Sequence, residues 1–595
     1  MSTAVSSEQD GTAKTGAELL VDALVQHGVD TVFGFPGDTS IALYDVLLRR
    51  TDEIRHILAR DERHTGFMAD AYTRTTRRIG VCEASSGAGA VYLASGMAEA
   101  FASSIPLLAI TTDNSRRSHG TAAISEIDQQ QLFAACTKWC RSADRVADVP
   151  ALVAEAIAAA TRGRPGPVAL ILPEDILEGT GEISGAPTSG PAASSVSSAG
   201  FGTIAVPGHR PQASTDSVNR AVAWLGAAER PVIVAGGGAQ LSGAGAELAR
   251  LAEHSAVPVA TSIHGKGVID EAHPFALGVV GGNGARDYTN AWVAESDLVL
   301  FVGTRANATD TLSFTTPARN HARILHIETD DGRAGRNYPH SIALVGDART
   351  VLEQLRQQVP AAPESLRAER AAELAAARRE WAGAERPTAS LPPGVLPPRE
   401  IVGALSDAFG RDTWVVGDAG TPTPYLSCYW QAPGDGWRVV IPRGHGPMGF
   451  AVPASVGIAV AHPGERVLCL TTENSVAMAV GEWETAKRLN LPVTYVVLDN
   501  TSMAWIKMIQ HLYAGGRYFA VDPGPIDPVQ LGRGMGLEGA RAHTLDEFAE
   551  LAAKAASRTG PSLIHAAVPE HMDAPPPVPV WQAALADGST VRPIH

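Results

Sequence analysis

Short apolar runs alternate with amphipathic, helix-spaced stretches along most of this 595-residue chain. The runs at 31–35, 79–83, 107–111 and 168–172 read as strands, and 17–27 spaces its apolar residues as one face of a helix. Strands alternating with helices predict a parallel, doubly wound sheet. The pattern recurs at 232–235, 298–302, 324–327 and 342–345, and again at 414–416, 467–470, 493–498 and 562–566. Two changes of composition separate these blocks. Residues 182–217 turn to Gly, Ser, Pro and Ala, and 361–398 begin helical and charged and end rich in Pro. The expected fold class is α/β, with three doubly wound parallel-sheet domains at 14–185, 218–359 and 399–570. Linkers fall at 186–217 and 360–398, and a Pro-rich tail, 571–595, is expected to lie over the surface.

Composition narrows the function classes. Hydrophobic residues make up 45% and charged residues 19%, which suits a well-buried core. A net charge of −15 without a basic run argues against nucleic acid and against anionic membrane surfaces. The polar N-terminus shows no secretory signal, and no apolar run reaches the roughly 18 residues of a membrane span, so a cytoplasmic location is expected. The five cysteines, at 82, 136, 140, 428 and 469, are scattered. Cys136 and Cys140 share a helix face but find no further ligand at metal spacing, so buried thiols are expected.

Candidate chemistry gathers where strands end. Glu473, in the polar turn Thr472-Glu473-Asn474-Ser475, and Asn500 each follow an apolar strand, at the edge where open α/β sheets bind ligands. A carboxylate and an amide oxygen converging there are hard ligands, suited to Mg²⁺ on a diphosphate. Glu62, within ARDERH at 59–64, is either one charge of a solvated cluster or a buried carboxyl able to share a proton with a ring nitrogen. In GHGPMGF at 444–450, glycines permit close backbone approach, and Met448 offers a bulky wedge. The glycines at 236–238 serve either a tight strand-to-helix turn or a nucleotide.

These segments, with GFPGD, SSIPLLAITTD and GRPGPVALILPED in the same order, resemble the thiamine-diphosphate (ThDP) enzymes of the acetolactate synthase and pyruvate decarboxylase-like family over nearly the whole chain. The resemblance implies pyrimidine-binding, central and diphosphate-binding domains. It implies that Glu62 bonds N1′ of the aminopyrimidine, that Gly446 offers its carbonyl to the 4′-amino group, and that Met448 bends the cofactor. Gly420 and Thr421 would meet the diphosphate, with backbone N–H groups of Asn474 and Ser475 at a helix start. Ser86 would lie near the pyrimidine. Glu473, Asn500 and the main-chain oxygen of Ser502 would hold Mg²⁺. The chain departs from the family where Gly-Asp-Gly has become Thr472-Glu473-Asn474 and Asn-Asn has become Asp499-Asn500. Glutamate reaches one methylene further, roughly 1.3–1.5 Å against a Mg–O distance near 2.1 Å, so weakened cofactor binding is expected.

The resemblance points to two reactions. Asp38 matches decarboxylases, but Arg116 and Arg117 stand in place of their paired histidines, with His119 two positions on, and their late glutamate falls at Ile506. Glu126 and Lys138 match carboligases, whose acceptor-side tryptophan falls at Ile509. The expected activity is a carboligase that decarboxylates a small 2-oxo acid, with pyruvate the expected donor, and passes the acyl unit to a second carbonyl substrate. A simple 2-oxo acid decarboxylase and a non-catalytic binding or regulatory homologue are the alternatives. Arg116, Arg117, His119 and Lys507 either recognise an anionic substrate or are surface charges. FAD or ADP in the central domain is a minor option. The family's site, built between subunits, implies a homodimer or homotetramer.

Overall fold

The computed structural model describes residues 13–181, 206–320, 322–384, 391–434 and 436–588. It contains three six-stranded sheets in which every paired strand is parallel. In spatial order the first is Arg55–Leu58, Thr31–Phe35, Gly80–Ala84, Leu107–Asp113, Val168–Pro173 and Cys140–Ser142. The second is Ala276–Val279, Val259–Thr261, Pro231–Ala235, Leu298–Val302, Arg323–Glu328 and Ile342–Val345. The third is Val439–Val440, Trp414–Gly417, Val467–Thr472, Val493–Asp499, Ser562–Ala567 and Glu538–Ala542. Central strands such as Val493–Asp499 are buried along their whole length because helices cover both faces. The strands that the apolar pattern did not announce are short or mixed. Cys140–Ser142 and Glu538–Ala542, at sheet edges, need no continuous apolar run.

The chain divides into two compact units. One comprises residues 1–73 and 78–208, and the other comprises 74–77 and 209–595, so the second and third sheets share a unit. The first is closed by Lys14–Thr15 pairing antiparallel with Thr180–Gly181. Within the second, a buried ion cluster joins the two sheets' domains. Lys266 Nζ lies 2.5 Å from Glu271 and donates to the Ser427 carbonyl at 3.2 Å, while Arg286 pairs with Glu271 and donates to the Cys428 carbonyl.

Where they are described, the connectors carry more structure than a linker needs. The linker 186–217 lies mostly outside the described residues, and a helix, Thr215–Gly226, already occupies its end. The second connector is largely the helix Glu364–Gly383, whose Leu374 is buried in the central domain's core. The tail does not merely lie on the surface. Its helix Pro579–Asp587 buries Trp581, with the preceding Val578, against Met508 and Leu512. The five cysteines are free thiols, four of them buried. Among the described residues no helix is long and apolar enough to cross a membrane.

Candidate active site

A cavity opens at the carboxyl-terminal edge of the third sheet. Its walls are the loop after Trp414–Gly417 (Gly420, Thr421), the turn carrying Gly446 and Met448, the starts of two helices (Asn474, Trp505), and the loop with Asn500 and Ser502. Gly420 and Gly446 have φ of 103° and 69°, a region that side chains resist, so glycine shapes both turns. Met448 is half-buried on the cavity wall, not packed into a core.

One corner of the cavity gathers oxygen. Glu473 is buried, and desolvation, with the charge of Asp499 beside it, pushes its carboxyl up to about 8. Its Oε1 accepts from the Asn474 side-chain amide at 2.8 Å, and the same nitrogen donates to the Ser502 carbonyl at 3.1 Å. Glu473 Oε2 is buried without a partner. Asn500 Oδ1 accepts from the backbone N–H of Ser502 at 3.3 Å. A carboxylate and a main-chain oxygen therefore meet around one amide NH₂, and the Asn500 amide oxygen is held beside them by the Ser502 N–H. An unpartnered buried carboxylate oxygen is costly, and a hard divalent cation is the group that this donor set fits. Among the described residues no cluster of three or more His, Cys, Asp or Glu offers another metal site.

Around this corner the structure adds residues that sequence reasoning missed. Asp499 accepts from the buried His565 at 2.9 Å, so the Asp at this position holds the strand end to its neighbour. Thr421 Oγ1 lies 3.0 Å from Nε2 of His571, a buried ring that desolvation pushes down to about 4 and thus keeps neutral. Arg443 and Asn283 also line the cavity. Arg443 and Arg305 face the Asp310 carboxyl and oppose the upward push of burial on it.

In the first unit, Glu62 opens the helix Glu62–Thr76 and is half-buried. Burial, with a smaller push from Asp61, raises its carboxyl above the ordinary range. A Cβ placed on Gly89 would sit 3.1 Å from Glu62 Oε1 and 3.0 Å from Ser85 Oγ, so the carboxyl lies close against the 85–89 turn and a side chain at 89 would crowd it.

Sequence profiles of known families match the chain in three places. Residues 14–132 match the N-terminal TPP binding domain of thiamine pyrophosphate enzymes, 218–355 their central domain, and 418–566 their C-terminal TPP binding domain. The chain is 31% identical to an acetolactate synthase of Arthrospira platensis over 95% of its own length and 96% of that protein's. It is equally similar, with the same coverage, to the acetolactate synthase isozyme 1 large subunit of Escherichia coli (strain K12). The acetolactate synthase large subunit of Parasynechococcus marenigrum shows 33% identity over 89% of this chain and 83% of its own. The chain belongs to the acetolactate synthase family. It is a ThDP-dependent enzyme of acetolactate synthase-like, carboligase type.

Within this family frame, several expected residues have other occupations. The turn 472–475 is a helix start, where Thr472 Oγ1 accepts from the Ser475 N–H, so that amide is already engaged. Ser86 is clipped to Thr39, whose hydroxyl also meets Thr112 at 2.6 Å. Asp38 is exposed, and its carboxylate accepts from the Thr39 N–H. His119 rests on the Asn114 carbonyl, 3.4 Å from Asp113. Glu126 braces its own loop by accepting from the N–H groups of Gly120 and Ala123. Lys138 donates to the carbonyls of Ala159, Arg162 and Arg164, a structural role at a helix end. Arg116 pairs with Asp175, and Lys507 with Asp522 and Glu570, so neither is a ready anchor for an anion; Arg117 stays exposed. Trp505, one helical turn before Ile509, is the cavity's aromatic side chain, with Ile506 beside it. The glycines at 236–238 serve packing. A Cβ on Gly236 or Gly238 would overlap Gly303, and the Gly238 N–H donates to the Gly303 carbonyl.

Proposed function

We propose that this enzyme decarboxylates a small 2-oxo acid, pyruvate being the expected donor, and joins the acyl unit to a second carbonyl substrate. The residues assigned to the reaction are those of the cavity at the edge of the third sheet and, in the first unit, Glu62. The observation that carries the proposal is the convergence of Glu473, Asn500 and the Ser502 carbonyl beside Gly446 and Met448. When bound, ThDP supplies a carbon nucleophile at its thiazolium ring. Glu473, Asn500 and Ser502 would hold Mg²⁺ on its diphosphate, Thr421 would meet the phosphates with its hydroxyl set by His571, and Met448 and Gly446 would orient the pyrimidine. Glu62, held above its ordinary pKa by burial, would exchange a proton with N1′ of that ring. Arg443, on the wall with Gly446, would receive the substrate carboxylate. Ile506, on the cavity wall with Trp505, stands where the decarboxylases carry an acid, which favours ligation over simple release of an aldehyde. The working protein would be a cytoplasmic homodimer or homotetramer.

Calorimetric titration of metal-stripped protein with ThDP, with and without Mg²⁺, tests the site. Mg²⁺-dependent heat at micromolar ThDP is expected, followed by a ligated product from pyruvate and a carbonyl acceptor. Aldehyde alone would show a decarboxylase, and no heat at millimolar ThDP would leave a non-catalytic homologue.

A further inference from the structure

Glu83 is a buried carboxyl to which the proposed reaction assigns no task. It sits in the middle of the strand Gly80–Ala84, fully buried, where a central parallel strand ordinarily carries an aliphatic side chain. The Tyr44 hydroxyl donates to Glu83 Oε2 at 2.6 Å and lies 3.0 Å from Nε2 of His56. The phenol has one proton, so while it is given to Glu83 the His56 nitrogen must be the donor at the other contact. The strand Thr31–Phe35 makes room for this meeting. A Cβ on Gly34 would lie 2.6 Å from His56 Nε2, 2.7 Å from Glu83 Oε2 and 2.9 Å from the Tyr44 oxygen. Glu83 Oε1 is buried and accepts no hydrogen bond of good geometry. His56 is half-exposed, so the chain of three groups leads from the surface to the buried carboxyl.

The groups facing Glu83 come from several elements. Tyr44 lies on the helix Ile41–Arg49, His56 on Arg55–Leu58 and Glu62 at the start of Glu62–Thr76, while the Ser40 hydroxyl and the Phe35 N–H favour its charged form. Desolvation outweighs these donors and, with the charge of Glu62, pushes Glu83 up to about 8. Burial and the same two carboxylates raise Tyr44, and burial with Glu83 raises the neighbouring Cys82.

We propose that Glu83 is a positioning residue for Glu62, kept neutral by proton exchange with solvent through Tyr44 and His56 so that Glu62 can carry the charge. The exchange moves protons only. A doubly protonated His56 passes its Nε2 proton to the Tyr44 oxygen as the Tyr44 proton moves to Glu83 Oε2, and His56 is left neutral. Two carboxyls in one poorly solvated region do not both ionise readily, so losing the Glu83 proton drives Glu62 toward its own neutral form.

The proposal rests on Glu62 being the working carboxyl, and it is tested first without cofactor. Carboxyl titration of the ThDP-free protein is followed by difference infrared spectroscopy in the parent, Glu83→Gln, Glu62→Gln and Tyr44→Phe, each checked for folding by circular dichroism. The parent is expected to show a carboxyl ionising on the alkaline side of neutrality. Glu83→Gln should abolish that transition and leave the Glu62 transition where it is, because Gln mimics the neutral carboxyl, whereas Glu62→Gln should lower the Glu83 transition by about one unit, the size of a close carboxyl pair's interaction. Tyr44→Phe, which removes the donor, should move the Glu83 transition upward and stands in if Glu83→Gln does not fold. In the ThDP-loaded protein, the alkaline limb of the kcat profile should vanish in Glu83→Gln. No alkaline carboxyl transition in the parent, or a variant whose titration superimposes on the parent's, overturns the proposal. Failure to bind ThDP would leave the titration readable, so the two readings fail separately.

Discussion

Asn474 occupies, with its side-chain amide, the point at which Glu473 Oε1 and the Ser502 carbonyl converge. A cation entering the corner must displace that NH₂ and break two hydrogen bonds. Each is worth about 1 kcal/mol, roughly a factor of five in affinity. Asn474→Ala is therefore expected to tighten Mg²⁺-dependent ThDP binding by up to about 25-fold in calorimetry. Weaker binding would mean that Asn474 turns its carbonyl oxygen onto the metal and serves as a ligand. At this scale, legibility followed the chain's local grammar. Glu473 and Asn500 were readable because each ends an apolar strand at the ligand-binding edge of a sheet. Ser475 was read as a free amide, but the Thr472 hydroxyl beside it caps it. His571 was invisible because it reaches Thr421 from 150 positions away, and nothing in either segment announces the meeting.

Elements divide in the same way. Strands buried on both faces carry continuous apolar runs and were legible, whereas Cys140–Ser142 and Glu538–Ala542 at sheet edges are not apolar enough to stand out. The tail helix Pro579–Asp587 was missed because its Pro-rich approach reads as a surface linker, yet Val578 and Trp581 seat it on the helix Ala504–Tyr513. That second helix begins with Ala504, Trp505 and Ile506 on the cavity wall, and Trp505 packs edge-on against both Trp581 and His571. The tail is thus a buttress for the wall that holds Thr421's partner. Trp581→Ala should cost about 3 kcal/mol, at the low end for a buried aromatic because the cluster is small. Urea unfolding would show the loss, and calorimetry should show ThDP affinity falling with it. Full stability loss with unchanged ThDP affinity would show that the tail supports the fold alone.

For the whole molecule, each half of the proposed site is rimmed by exposed apolar side chains. In the first unit, Val91 and Tyr92 stand out from the helix that begins beside the Glu62 turn, exposed by 42% and 55%. In the second, Ile506 on the cavity wall and Met478, beside Gly449, are exposed by 43% and 44%. Exposed apolar surface beside functional groups, on each unit by itself, is the kind of surface that a second subunit would cover. Mixing two inactive variants tests this directly. Glu62→Gln removes the proton-exchanging carboxyl, for which a loss of about 10²–10⁴-fold is expected, and Asn500→Ala removes a cation ligand. If the site pairs Glu62 of one subunit with Asn500 of another, a mixed dimer carries one site with both residues intact and one with neither. Random mixing of equal amounts then makes half the molecules mixed, each half-active, restoring about a quarter of the parental rate. If both residues of a site come from one chain, every site in every mixture is damaged, and the rate stays at the level of the separate variants.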